Sequence, residues 1–263
     1  MITILKNNFI TLPIRKFIFE TKFANDKNVN YFRGVFNSFQ EAQASSPKTK
    51  PVSYNNLDAA QMYLERTQKL YSTDYPVLFW MEKIKNNFAT VFDFGGHIGV
   101  HYYSYQKALC FSKIDRWTVC DVEMVCQEGE RIARVKDNLG KLSFVGDIKK
   151  CEGHDLFIAN GSLQYLEWEL HEKLEEVSYK PKYIIVNMTP LHPSIRTKTL
   201  NNIGTSFCPY YIRKEDDFFK GLRASGYEII DTWSNETKSC SIAFEPERSI
   251  SYYRGAILKL KSE

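Results

Sequence analysis

From residue 89 onward, short apolar runs alternate with longer polar stretches that suit helices. The runs are Thr90-Val91-Phe92-Asp93-Phe94, Trp117-Thr118-Val119-Cys120, Leu142-Ser143-Phe144-Val145, Leu156-Phe157-Ile158-Ala159 and Tyr183-Ile184-Ile185-Val186. Each is almost continuously apolar, as expected of a strand covered on both faces in a parallel sheet. Tyr227 to Trp233 and Arg254 to Leu260 supply two further strands, and Ala224-Ser225-Gly226 ends the helix before the first of them. The pattern predicts an α/β fold: a doubly wound, mostly parallel seven-stranded sheet over residues 89–263.

Residues 1–88 carry a different pattern. The stretch from Phe9 to Phe23 sets Phe17, Phe19 and Phe23 beside Arg15, Lys16 and Lys22. It reads either as a segment docked on its own domain or as a helix for a membrane surface or partner. Residues 31–88 read as helical. Ser38-Phe39-Gln40-Glu41 fits a capping box, Pro47 and Pro51 mark a loop, and Leu57, Ala60, Tyr63, Leu64 and Leu70 recur at near-helical spacing. A third helix is expected over Val77 to Asn87. The expected division is an N-terminal segment and helical lobe at 1–88, then a ligand-binding domain at 89–263.

Composition narrows the classes. A net charge of +4 is too small and too dispersed for a nucleic-acid surface. No apolar run approaches the ~20 residues of a membrane span. The six cysteines lack a CxxC pair and read as reduced thiols, neither a disulfide frame nor a zinc knuckle. No leader pattern opens the chain, so a cytoplasmic setting is expected.

The chemistry concentrates in Val91-Phe92-Asp93-Phe94-Gly95-Gly96-His97-Ile98-Gly99, a strand, a glycine turn and a helix start. Glycines let backbone approach a ligand that a Cβ would exclude. A dinucleotide site needs G-x-G-x-x-G and no acid crowding the phosphates. Here Asp93 stands two residues before the first glycine, which suits a nucleoside carrying positive charge and no phosphate. Asp121, with Val122 beside it, closes the next strand and is placed to hold ribose hydroxyls; Glu123 is the reserve. After the third strand, Asp147 is placed to meet an adenine amino group and Ile148 to line the ring. A lone Asp at such a place also reads as a helix cap. The order of three acids at three successive strand ends favours the ligand. The fourth strand runs into Asn160-Gly161-Ser162-Leu163-Gln164-Tyr165, where Asn160 and Ser162 are either ligand contacts or a strand-to-helix turn.

These features resemble the class I S-adenosylmethionine-dependent methyltransferases. More narrowly, Tyr31-Phe32-Arg33-Gly34-Val35-Phe36, Asn160 through Glu167, Asn187-Met188-Thr189-Pro190 and Ser206-Phe207-Cys208-Pro209-Tyr210 resemble a methyltransferase family encoded among bacterial capsule and O-antigen genes. The resemblance covers most of the chain and implies S-adenosylmethionine as cofactor. It also implies a small-molecule acceptor, anionic or sugar-linked, from surface-polysaccharide synthesis. Two departures stand out: His97 replaces a further loop glycine, and Met188 replaces an arginine expected before Thr-Pro.

Methyl transfer needs alignment, exclusion of water and, for a hydroxyl acceptor, a base. His192 in Thr189-Pro190-Leu191-His192-Pro193 is the candidate base, with a surface loop histidine as the alternative, and Tyr165 is a candidate for the active-site wall. His97 and His101 share helical spacing, but no third ligand supports a metal. Arg196, Lys198, Tyr210, Tyr211 and Arg213 form either a solvated loop or a clamp for an acceptor anion. Two rival functions stay open: a non-catalytic cofactor-binding partner of another enzyme, and a nicotinamide-dependent oxidoreductase.

Overall fold

Every apolar run named above is a strand in the computed structural model, which describes residues 11–27, 29–61 and 63–261. The chain opens with α1 (Thr11–Asn25), β1 (Tyr31–Phe36), α2 (Phe39–Ala44), α3 (Leu57–Gln61) and α4 (Tyr75–Ile84). Strand and helix then alternate: β2 (Thr90–Phe94), α5 (Val100–Tyr105), β3 (Arg116–Cys120), α6 (Glu123–Lys136), β4 (Leu142–Val145), β5 (Leu156–Asn160), α7 (Leu170–Leu174) and β6 (Tyr183–Thr189), save that a 3₁₀ turn (Ile148–Cys151) stands in place of a helix between β4 and β5. Next come β7 (Leu191–His192), β8 (Thr197–Asn202), β9 (Phe207–Lys214) and α8 (Glu215–Ala224). The chain closes with β10 (Tyr227–Asn235), β11 (Ile242–Ala243) and β12 (Tyr253–Leu260).

The main sheet has seven strands in the order β10-β12-β6-β5-β2-β3-β4. β2 through β6 pair in parallel, and β12 runs antiparallel to both its neighbours. Alternate residues of each strand serve opposite faces. Phe92, Phe157, Ile184 and Val186 pack toward α7 and α8, while Val91, Trp117, Ile158 and Ile185 pack toward α4 and α5. Both faces of β2, β3, β5 and β6 are therefore dry, which is why these strands carry so few polar residues, while the edge strands β4 and β10 are mostly half-buried or exposed. Strand order reverses between β2 and β5, and the crevice beyond their carboxyl ends is where an open α/β sheet binds ligands. Gly95 and Asn160 stand at that crevice.

Residues 31–88 correct the helical expectation. Tyr31–Phe36 is a strand of a second sheet, ordered β11-β1-β8-β9-β7, which otherwise comes from the chain between β6 and β12. A register shift between Arg33 and Phe36, around Gly34 at φ 72°, breaks the two-residue alternation that would have exposed it as a strand. The expected helix from Asn56 is also shorter than its pattern, giving way after α3 to a 3₁₀ turn at Leu64–Gln68. The capping box is present in modified form. Ser38 Oγ accepts from the Glu41 amide at 3.0 Å, and Glu41 returns a bond to the Asn37 amide at 2.8 Å.

α1 is docked on the second sheet. Phe23 is fully buried and stacks on Phe207 at 5.3 Å, while Phe17 is exposed. Phe9, where that pattern begins, lies outside the described residues. Among the described residues no helix is long and apolar enough to cross a membrane.

Candidate active site

The turn after β2 is shaped by what lies against it. Gly95 has φ 72°, and a Cβ there would come within 2.2 Å of Ser162 Cβ; a Cβ on Gly96 would come within 2.3 Å of Asp93 Oδ2. The loop is thus pressed between the β5 turn and a buried carboxylate. His97 adopts φ 57°, a left-handed conformation that costs a side-chain-bearing residue roughly 1–2 kcal/mol. Its ring packs against Tyr63 at 4.9 Å and Tyr54 at 6.0 Å, and its amide donates to Asp121 Oδ2 at 3.0 Å. These contacts offset the strain at a place where glycine would be the ordinary choice.

Asp121 stands just past β3, half-buried, with Oδ1 accepting from the Val122 amide at 2.8 Å. Burial pushes its pKa up to about 6; the two amides oppose that shift, and the charge of Asp93 adds to it. Asp93 itself is fully buried. It accepts from His101 Nδ1 at 3.0 Å and from Trp117 Nε1 at 3.2 Å. Asp93 pairs in register with Val119, two residues before Asp121, and its charge is felt at Asp121.

A buried polar rail fixes the tautomer of His101. Trp233 Nε1–H can only donate, and it donates to Asn187 Oδ1 at 2.8 Å. Asn187 Nδ2 must then donate to the Thr73 carbonyl at 2.8 Å and to Asn160 Oδ1 at 3.0 Å. Asn160 Nδ2 in turn faces His101 Nε2 at 3.2 Å and Asp74 Oδ1 at 3.3 Å. His101 therefore accepts at Nε2 and donates from Nδ1 to Asp93.

Above this floor opens a cavity of about 950 Å³. Gly95, Gly96 and His97 line it from β2, Asp121 and Val122 from β3, and Asp147 and Ile148 from β4. Asn160, Ser162 and Tyr165 line it from β5. Sequence reasoning thus named residues that converge from four strand ends. Asp147 also caps the turn after it, accepting from the Lys149 amide at 2.9 Å, as the capping reading of that residue expects. Ser162 caps nothing; its hydroxyl donates to the Phe94 carbonyl at 2.7 Å and ties the two turns together. Asp93 and Gly99 lie behind the lining: Asp93 is the prop under the loop, and Gly99, at φ 87°, starts α5.

His192 requires a correction. It lies on β7, off the cavity lining, with both ring nitrogens engaged. Nε2 donates to the Glu247 carbonyl at 3.0 Å, and Nδ1 accepts from the amides of Ser194 and Ile195, each at 3.1 Å. It staples a turn. His192→Ala is expected to lose about 1–3 kcal/mol of stability in urea denaturation, because buried donors go unpaired, with ligand affinity at the cavity unchanged. The anion clamp expected of the long polar segment is also committed elsewhere. Arg213 is buried and bonds Glu169 and the carbonyls of Leu163, Leu166 and Trp168, Arg196 pairs with Asp217, and Lys198 pairs with Glu167.

His97 and His101 do not form a pair: one ring sits between tyrosines, and the other is fixed on Asp93. Tyr165 packs edge-on to Tyr210 at 5.5 Å, and burial raises the pKa of both phenols well above the ordinary tyrosine range. The Tyr165 hydroxyl donates to Asn201 Oδ1 at 3.5 Å, and the Tyr210 and Tyr253 hydroxyls share a hydrogen bond of 2.7 Å. Sequence reasoning missed Asp74, Arg66 and Lys238, which also line the cavity. Asp74 precedes Pro76 at the start of α4 and so reads as a cap, while Arg66 and Lys238 look like surface cations until the chain folds.

No protein-family model and no curated protein sequence matches the chain. Among solved structures, the PH0226 protein of Pyrococcus horikoshii OT3 is similar over 79% of this chain and 98% of its own, with TM-score 0.52 and 13% identity. The 1,6-didemethyltoxoflavin-N1-methyltransferase of Burkholderia thailandensis, solved with S-adenosylhomocysteine, is similar over 73% and 79%, with TM-score 0.49 and 16% identity. The magnesium protoporphyrin IX methyltransferase of Synechocystis PCC 6803 is similar over 78% and 88%, with TM-score 0.49 and 16% identity. Likeness at such identity speaks to fold alone, here the open, mostly parallel seven-stranded α/β sheet described above.

Proposed function

We propose that this chain is an S-adenosylmethionine-dependent methyltransferase acting on a small-molecule acceptor. The observation that carries the reading is the charge of the floor beneath the glycine loop. Asp93 is sealed under Gly96, and Asp121 and Asp74 border the same cavity. A pyrophosphate laid on that loop would meet carboxylates in a poorly hydrated site, where repulsion is strong. A cationic sulfonium nucleoside meets attraction instead. The oxidoreductase alternative has no comparable support.

Each lining group then has a task. Asp121 accepts from the ribose hydroxyls, with its two backbone donors fixing the carboxylate in place. Ile148 and Val122 flank the adenine, and Asp147 accepts from its amino group. Asp74, already oriented by the Tyr71 amide and the Tyr105 hydroxyl, accepts from the ammonium of the methionine part. When bound, the cofactor supplies a methyl group on a positively charged sulfur, which leaves as a neutral thioether. The protein's share is to align the acceptor and exclude water. Tyr165 and Tyr210 form the wall that does so on the side of the second sheet.

The finer reading, O-methylation of a surface-polysaccharide precursor, rests on the sequence resemblance. With His192 stapling a turn and both ring nitrogens of His101 engaged, no lining side chain is assigned as the base for a hydroxyl acceptor. Titration calorimetry with S-adenosylmethionine and S-adenosylhomocysteine tests the cofactor. Saturable heat with both and none with NADH is the expected outcome; folded protein that takes up neither rejects the proposal.

A further inference from the structure

Arg66, Lys69 and Lys238 border the cavity, and of these Lys69 is paired, with Glu65 at 4.0 Å. Arg196, Lys198 and Arg213 each have an acid within 2.8 Å. Among the described residues, no acid lies within ion-pair distance of Arg66 or Lys238. Arg66 is held by rings: its guanidinium lies over Tyr63 at 4.6 Å and Tyr71 at 5.0 Å. Cation–π contact of this kind fixes the fork and leaves its N–H edge open to a planar or tetrahedral anion. Lys238 sits in the loop between β10 and β11 and borders the same cavity, with Thr237 beside it. Desolvation and then the charge of Arg66 disfavour its protonated form. Two like charges that act on one another thus line one cavity, an arrangement that a bound anion relieves.

We propose that the methyl acceptor carries an anionic group, a carboxylate or a phosphate, seated between Arg66 and Lys238. The proposal rests on the methyltransferase reading. It also replaces the clamp that the sequence placed at Arg196, Lys198 and Arg213. The same cavity is also lined by an aromatic and apolar group in which Tyr165 packs against Tyr54 and Tyr210, with Pro209 and Met188. Met188, at φ 51°, sits in the register shift between Val186 and Thr189 where β6 bulges against β12. The acceptor's charged end therefore lies between Arg66 and Lys238, and its ring or chain lies against the tyrosines.

The test uses the full chain saturated with S-adenosylhomocysteine, titrated with benzoate and phenyl phosphate against the neutral benzamide and phenol. At least one anion is expected to bind about tenfold or more tightly than its neutral counterpart, and the stronger anion distinguishes carboxylate from phosphate. Lys238→Gln and Arg66→Gln are each expected to abolish that preference. Lys238 lies on an exposed loop, so its variant keeps the fold and also leaves the affinity for S-adenosylhomocysteine within about twofold. Charged and neutral probes binding alike, or an anion preference that survives both substitutions, overturns the proposal. So does an anion preference seen only without the nucleoside, since the pair would then serve the cofactor's own carboxylate. Failure to bind S-adenosylhomocysteine sinks the methyltransferase reading instead, and the same titration of the free protein still tests the cation pair.

Discussion

Asp121→Asn is expected to weaken S-adenosylhomocysteine binding about 100-fold with little loss of stability. The carboxylate offers its remaining lone pairs to two ribose hydroxyls, and hydrogen bonds to a charged acceptor are worth about 1.5–3 kcal/mol each. The amide keeps one carbonyl for the His97 or Val122 amide and turns an N–H₂ toward donors. The loss should therefore fall on the ligand. The pH dependence gives an independent reading. Asp121 has its pKa raised to about 6 from an ordinary 3.8, so the folded chain holds this proton more tightly than the unfolded chain does. Its contribution to stability therefore declines as pH rises from about 4 to 6, and is fully lost above 6. Ligand affinity moves the other way, because the ribose selects the ionised form. Binding should tighten as pH rises through about 6 and level off above it. Calorimetry between pH 5 and 8 reads both the variant and the profile; a flat profile in the wild-type chain, or an Asn variant that binds equally well, removes Asp121 from the site.

The main sheet was legible because burial on two faces leaves a strong trace. β2 through β6 are runs in which nearly every residue is apolar, and no helix of that length in a soluble chain needs such uniformity. The second sheet left almost none. β1 contains Arg33 and Gly34, with Phe32 its one fully buried residue, so its pairing with β8 is decided by tertiary contacts that no local window contains. The expected boundary at residue 89 follows the main sheet, but β1 lies before it and pairs with strands far beyond it.

The site divides along similar lines. Asp121, Asp147 and the glycine loop were visible because strand ends in a doubly wound sheet converge by topology. His192 misled for the same reason: it follows β6, but the chain turns away there into β7, and the ring is taken up by backbone amides. Asp74, Arg66 and Lys238 reach the cavity from a helix start, a 3₁₀ turn and a loop of the third-last strand's exit, places where charged residues are ordinarily solvated. His101 was read only as a member of a helical pair with His97. Its bond to Asp93 crosses from α5 back to β2, and neither spacing nor charge in the sequence announces that.

Asp93→Ala is expected to be the most destabilising single substitution near the site, by about 3–5 kcal/mol in urea denaturation. Its carboxylate is the acceptor for two buried donors, Trp117 Nε1–H and His101 Nδ1–H, and each unpaired buried donor costs about 1–3 kcal/mol. Removing the carboxylate also opens a void beneath Gly96, which rests against it. Against a total stability of about 5–15 kcal/mol that is a large fraction. Asp93→Asn keeps the volume and one carbonyl acceptor, so it should lose roughly half as much. The pair of variants separates a prop from a ligand group. If Asp93 acts from beneath, S-adenosylhomocysteine affinity should fall in step with stability across the alanine and asparagine variants, and recover at low temperature where the fold is restored. If it touched the ligand, affinity would collapse in both variants regardless of stability. An alanine variant as stable as the wild type would mean that His101 and Trp117 find other acceptors, and the rail from Trp233 to Asp93 would no longer account for the rigid floor of the cavity.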